Sequence, residues 1–156
     1  MSGAEFLAQM AVSGLVAGVG VGSSAEQIRD ALGERCVADR RKRSLRMDYG
    51  LLEFSLFGGI CESFAAQVHR LASGGLVVPE PLKAAFVETS RTVSFVDLRV
   101  EVARKGASLE EGNSQSGYDS YRVEDSHVSI FVVNETSGND FPAVGDIWSI
   151  VVSKAG

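Results

Sequence analysis

Two histidines, two cysteines, one run of basic residues and a handful of aromatics are the groups of this chain with chemistry to offer. His69 or His127 could serve as a general acid–base group beside Asp48, Glu53 or a serine, because imidazole changes charge near neutral pH. Neither stands next to a nucleophile elbow or a phosphate-cradling glycine loop, and both fall in strand-like runs. They read as surface or satisfied sheet histidines. Gly18-Val19-Gly20-Val21-Gly22 is glycine-rich but lacks the preceding strand and the spacing of a dinucleotide site. Cys36 and Cys61 make no zinc-ligand pattern with the histidines, so no catalytic residue, metal or cofactor is expected. The thiols read as buried or half-buried and free, with a single Cys36–Cys61 bridge as the alternative.

Arg40-Arg41-Lys42-Arg43, flanked by Arg35 and Arg46, could meet phosphate or an acidic partner. Aromatic interleaving is absent, however, and 15 basic against 20 acidic residues leave a net charge of −5. A solvated loop is the plainer reading, and nucleic-acid binding is not expected. Tyr49, Tyr118, Tyr121, Phe131 and Trp148 are amphipathic or aromatic groups of the kind that anchor interfaces. Tyr49 and Trp148 read as core filler. Phe131 is expected outside, since Ile130 and Val132 have the opposite parity, and with Tyr118 and the 106–117 stretch it would form an adhesive patch.

These side chains need a scaffold. At 156 residues, 45% hydrophobic and 22% charged, the chain suits one compact domain with an unstapled core. The uncharged stretch 6–21 lacks a basic start and is shorter than the ~20 apolar residues of a spanning helix. It predicts a core helix over 4–13, capped by Ser2 and stopped by Gly14, then an apolar connector; a cytoplasmic protein without membrane contact is expected. Ser24 with Gln27 three residues on has capping-box spacing and predicts a helix ending at Gly33. Residues 34–44 read as a polar connector. Between 44 and 71, apolar and polar residues alternate in three runs separated by glycines, which predicts an antiparallel meander. Its inward set is Met47, Leu52, Phe54, Leu56, Phe64, Ala66 and Val68; Arg46, Asp48, Glu53, Ser55, Gln67 and His69 face out. Residues 73–81 are a linker. A short helix over 81–88, a helix over 94–103 with a strand as competitor, a polar loop at 106–117 and strands over 118–124, 127–133 and 146–153 complete the chain.

The halves 1–72 and 82–156 repeat each other. Ser24, Ile28, Arg29 and Leu32 match Ser94, Leu98, Arg99 and Val102 at an offset of 70, while Arg46, Met47, Asp48, Leu52 and Phe54 match Arg122, Val123, Glu124, Val128 and Ile130 at 76. The extra residues are expected in the 106–117 loop. The fold class is therefore α+β: two tandem helix-plus-antiparallel-meander units forming one long sheet, with helices on one face and the other face open.

Gly22-Ser23-Ser24-Ala25-Glu26-Gln27-Ile28-Arg29 through Leu32-Gly33, followed by Asp48-Tyr49-Gly50-Leu51-Leu52-Glu53-Phe54, resembles the helix–sheet repeat of β-lactamase-inhibitor-protein-like folds and of the related small outer-membrane assembly lipoproteins. Residues 21–33 and 67–71 are also similar to segments of small bacterial proteins that include immunity proteins encoded beside toxins. A cysteine pair in each repeat and a lipoprotein cysteine are missing, which argues against secretion and β-lactamase inhibition. The resemblance implies a non-enzymatic module that grips a protein partner, a toxin or an enzyme. Arg46, Glu53, Gln67, His69, Tyr118, Arg122 and Phe131 are the residues expected to form its contact face, and an interface of about 800 Å² per side would fit on six to eight strands. A small hydrolase or ligand-binding protein with a cleft between the repeats is the alternative, and self-association by face or edge is a third reading.

Overall fold

The computed structural model describes residues 1–86, 91–136, 138 and 142–154. Helix α1 (Gly3–Ser13) begins at Ser2, whose hydroxyl accepts the Glu5 amide, and stops at Gly14 in the left-handed region, where a side chain would be strained. A two-stranded hairpin, β1 (Leu15–Val16) and β2 (Val19–Gly20), takes the place of the expected connector. Helix α2 (Ala25–Leu32) carries both hydrogen bonds of the capping box between Ser24 and Gln27. Strands β3 (Val37–Arg41), β4 (Ser44–Asp48), β5 (Leu52–Phe57) and β6 (Ile60–Ala66) follow. A 3-10 turn (Val68–Ser73), a second (Glu80–Leu82) and the short helix α3 (Lys83–Phe86) lead to the second half; the predicted helix's last residues, 87–88, lie outside the described residues. Helix α4 (Phe95–Arg104), capped by Ser94, precedes β7 (Leu109–Gln115), β8 (Tyr118–Val123), β9 (Val128–Val133) and β10 (Ile147–Ser153).

Eight strands form one antiparallel sheet in the order β3-β4-β5-β6-β10-β9-β8-β7. Each half supplies a helix and a four-stranded meander, and the two meanders meet at β6 and β10. Two sequence expectations need correction. The polar connector at 34–44 contains β3, and the polar loop at 106–117 contains β7. Both are sheet edges, β3 exposed throughout and β7 packed against the core only at its start by Leu109, so they carry none of the apolar alternation by which strands are recognised. The third strand of the first half also ends earlier than expected, because Gln67 leaves the sheet to start the 3-10 turn. Residues 94–103 are helical despite their β-branched content; the Ser94 cap and the inward Phe95, Leu98 and Val102 outweigh propensity.

The repeat is visible in the hydrogen-bond register. Pairs Leu52↔Ala66, Phe54↔Phe64, Ser55↔Ser63 and Leu56↔Cys61 of the first half recur as Val128↔Val152, Ile130↔Ile150, Phe131↔Ser149 and Val132↔Ile147 of the second. The offset is 76 for β5 onto β9 (Leu56 to Val132) and 86 for β6 onto β10 (Cys61 to Ile147). Both halves even carry the same bulge, with Glu62 as the extra residue in one and Trp148 in the other. Ser24 bridges to Ile60 as Ser94 bridges to Asp146, so each helix start is pinned to the head of its unit's last strand. Across the seam, Ala66↔Ile150 and Phe64↔Val152 flank Ala65↔Val151, which places a pseudo-twofold axis through that pair, perpendicular to the sheet.

Two details of the predicted repeat are wrong. By register, Met47 opposite Phe54 corresponds to Tyr121 opposite Ile130, so Arg122 stands where Asp48 stands, not where Arg46 does. The largest insertion is not at 106–117 but between β9 and β10, where residues 134–146 replace the Gly58-Gly59 turn of the first half.

The core lies between the sheet and the helical layer. Every predicted inward residue of the first meander is at most 3% exposed. Phe54 stacks on Phe64 at 5.2 Å, and Tyr49 meets Phe54 edge-on at 6.1 Å. The Tyr49 hydroxyl donates to the Gly33 carbonyl at 2.8 Å, which ties the end of α2 to the β4–β5 turn. Burial, with the neighbouring Cys36, pushes this phenol far above its usual range. Cys36 and Cys61 are free, and burial raises the Cys61 thiol to about 11, so it behaves as a small apolar side chain.

Candidate functional site

Among the described residues the face of the sheet away from the helices is open except where His69 and Arg70 of the 3-10 turn fold onto it, and strand parity determines what it displays. The first half shows Arg46, Asp48, Glu53 and Ser55, and the second shows Ser120, Arg122, Ser129 and Phe131. Glu53 organises the first group. Its side chain is only 11% exposed and pairs with both Arg46 and Arg70, the latter at 3.0 Å. Gln67 donates to the same carboxylate at 3.3 Å, and Arg70 also binds Asp48 at 3.1 Å and the Gly50 carbonyl at 2.9 Å. Two guanidinium groups thus face two carboxylates in a fixed, nearly neutral network. Such a group of partners costs little further ordering when something docks on it.

A second cluster lies at the corner where β6, β8, β9 and β10 converge. The bulge in β10 turns Trp148 out of the strand alternation, and bulges commonly re-aim a side chain in this way. Its indole stacks on His69, with ring centroids 3.9 Å apart and planes within 5°, and contacts Tyr118 at 5.3 Å. His69 Nδ1 lies 3.1 Å from the Trp148 carbonyl. A carbonyl can only accept, so Nδ1 carries the proton and Nε2 of the neutral ring is an acceptor. Burial, above all, holds this imidazole below its ordinary value, so it is neutral at physiological pH. Around the cluster is a cleft of about 510 Å³, closed on one side by Arg70 and Ser73 of the 3-10 turn and on the other by Glu135 of the β9–β10 insertion. The related cleft in the first half, about 500 Å³, contains Ser44, Phe57 and Glu62 where this one has Tyr118, Val133 and Trp148. The two clefts are pseudo-twofold mates: one is charged, the other aromatic.

The sequence-predicted residues are all on this side of the sheet; five of the seven form two sets, and Arg122 and Phe131 stand apart from both. Arg46, Glu53 and Gln67 form one connected group, and His69 and Tyr118 form the other around Trp148. Arg122 is bound to Glu110 at 2.7 Å on the far edge, and Phe131, half-buried, sits opposite Ser149 and Ser120. His69 is on the 3-10 turn and His127 in the turn before β9, rather than inside strands. Trp148 and Arg70 are the residues that the sequence reading missed. Trp148 was expected in the core with Tyr49, and only the displaced parity of a bulge could have shown otherwise. Arg70 was obscured by extending the third strand through it.

Among the described residues no group of three or more His, Cys, Asp and Glu comes together to hold a metal ion. The only hydrogen bond of His69 there is to a backbone carbonyl, so no carboxylate orients it as a base. Among the same residues no helix is long and apolar enough to cross a membrane. Comparison with known proteins gave no matching family model, no similar curated protein and no similar solved structure.

Proposed function

We propose that this chain is a non-enzymatic protein-binding module, of the inhibitor or immunity-protein kind, that seats a toxin or enzyme on the open face of its sheet. The supporting observation is the face itself: eight strands, open among the described residues beyond the 3-10 turn, with the Glu53 ion network and the Trp148 cluster already held in place by internal bonds. An interface of about 800 Å² per partner needs a platform of this breadth, and ordered aromatic and arginine groups are the usual energetic centres of such contacts.

The test separates the two sides of the molecule. Ser55→Arg and Ser129→Arg put bulk and charge on the open face without touching the core. Val96→Arg and Val100→Arg do the same on the exposed side of α4, where these residues are 70% and 46% exposed. Once a partner has been captured and identified, the sheet variants are expected to lose affinity by about 30-fold or more, the size of a hot-spot lesion, while the helix variants bind as the parent does. Loss confined to the helix variants would overturn the proposal.

The aromatic cleft favours a second reading, a ligand-binding protein. Its volume lies within the ~300–1,000 Å³ of small-molecule sites, and a few polar groups converge on apolar walls.

A further inference from the structure

The clefts on the open face are built on one backbone plan, so their chemistry comes from the side chains that differ. In the aromatic cleft the bulge residue is Trp148 in place of Glu62, and Tyr118 stands at the position of Ser44. The loop after β9 is extended at this corner alone, and it brings Glu135 to the wall. Loops that lengthen beside a fixed scaffold are where binding groups accumulate.

Among the described residues the walls offer aromatic ring surface, one imidazole acceptor and one carboxylate. Glu135 spends one interaction, accepting from Ser116 at 3.2 Å. Close by, Asn134 donates to Asp119 at 2.9 Å, and with Ser114 it holds that carboxyl below the usual carboxylate range, so a second full negative charge lies behind the rim. Arg70, the single cation among the described wall residues, has its guanidinium turned to Asp48, Glu53 and the Gly50 carbonyl. The local balance is negative, and the unspent groups are acceptors and the ring surface of Trp148 and Tyr118 that the His69 stack leaves open. A planar cation with several donors answers all of these at once: guanidinium stacks on indole and phenol rings and bonds carboxylate in a fork.

We propose that the aromatic cleft receives an arginine side chain presented by the partner. This deepens the docking reading and rests on it for the source of the arginine; the cleft's preference for guanidinium can be measured alone.

Trp148 is the only tryptophan of the chain, so its emission and its indole N–H resonance report on this cleft and nothing else. The isolated protein is titrated with N-acetyl-arginine amide, and in parallel with N-acetyl-phenylalanine amide and inorganic phosphate. The arginine probe is expected to give a saturable change in both signals and the other two none. Glu135→Gln should weaken it by about two- to fivefold, as loss of an exposed ion pair would, with its thermal midpoint unchanged. No saturation, tighter binding of the phenylalanine probe (an apolar pocket), binding of phosphate (an anion site at Arg70) or indifference to Glu135→Gln would each overturn the proposal. If arginine fails while the Ser55 and Ser129 variants still abolish partner binding, only the arginine assignment falls. If arginine binds but the helix variants are the ones that lose the partner, the docking face is what was wrong.

Discussion

His69 shows how one residue can tie the open face to the pH of its surroundings. Its ring lies flat on Trp148, and desolvation disfavours the imidazolium; the bond to the Trp148 carbonyl opposes this in part, and nearby Arg70 adds to it. The charged groups about it are Arg70 on its own turn, with Asp48 and Glu53 bound to that arginine, and Glu135 across the cleft. The folded-state value lies below the ordinary 6.5, so between the two the unfolded chain binds the proton more readily. Stability from this residue is therefore complete above 6.5 and is lost as pH falls through the folded-state value. Denaturant midpoints measured from about pH 7.5 down to about pH 5 should fall in the parent and fall less in His69→Gln, after the common carboxylate contribution is subtracted. Equal slopes would mean that the ring is solvated and the stack on Trp148 is loose.

At the scale of elements, the turn between β4 and β5 carries more than its length suggests. Gly50 has φ +87°, its amide is bound by Asp48 and its carbonyl by Arg70, and a Cβ on it would overlap the Val77 carbonyl of the linker. Left-handed geometry and close approach together make alanine a poor fit. Gly50→Ala is expected to cost about 2–3 kcal/mol in urea unfolding, whereas Gly59→Ala, also at positive φ but with nothing near its Cβ, should cost about 1 kcal/mol from strain alone. Similar losses at both sites would show that the linker contact is immaterial.

Much of this level could be read in the sequence. The Ser24–Gln27 box and the Ser94 cap depend on local spacing, and the inward residues of β4 to β6 on period-two alternation, so both emerge from the chain alone. Strands β3 and β7 do not, because an edge strand covered nowhere, or only at one end as β7 is at Leu109, has no apolar period, and its pairing is decided by a neighbour. The same holds for the site. Arg46, Glu53 and Gln67 were legible from parity, whereas the Trp148 corner depends on a bulge and on a 3-10 turn folding back from β6, neither of which leaves a local mark.

For the molecule as a whole, an eight-stranded open sheet has two unpaired edges, and each presents a row of amides and carbonyls to any passing strand. The two are protected differently. Strand β7 is broken by a bulge between Glu111 and Ser114, which twists its edge away from flat pairing. Strand β3 pairs with β4 without interruption from Val37 to Arg41, is exposed along its whole length, and begins with Val37 at 75% exposure. What it has instead is charge: Asp39, Arg40 and Arg41, with Lys42 and Arg43 in the turn. On this view the basic run, whose sequence invited a phosphate-binding reading, keeps other strands off. Replacing Asp39, Arg40 and Arg41 with threonine would leave residues 37–41 a flat, uncharged run rich in β-branched side chains. Light scattering after size-exclusion chromatography should then show concentration-dependent dimers or larger species. Glu110→Thr with Glu111→Thr, on the bulged edge, should remain as the parent chain does. If the β3 variant keeps the parent's size while losing a captured partner, the basic hairpin belongs to the binding surface rather than to the protection of the edge.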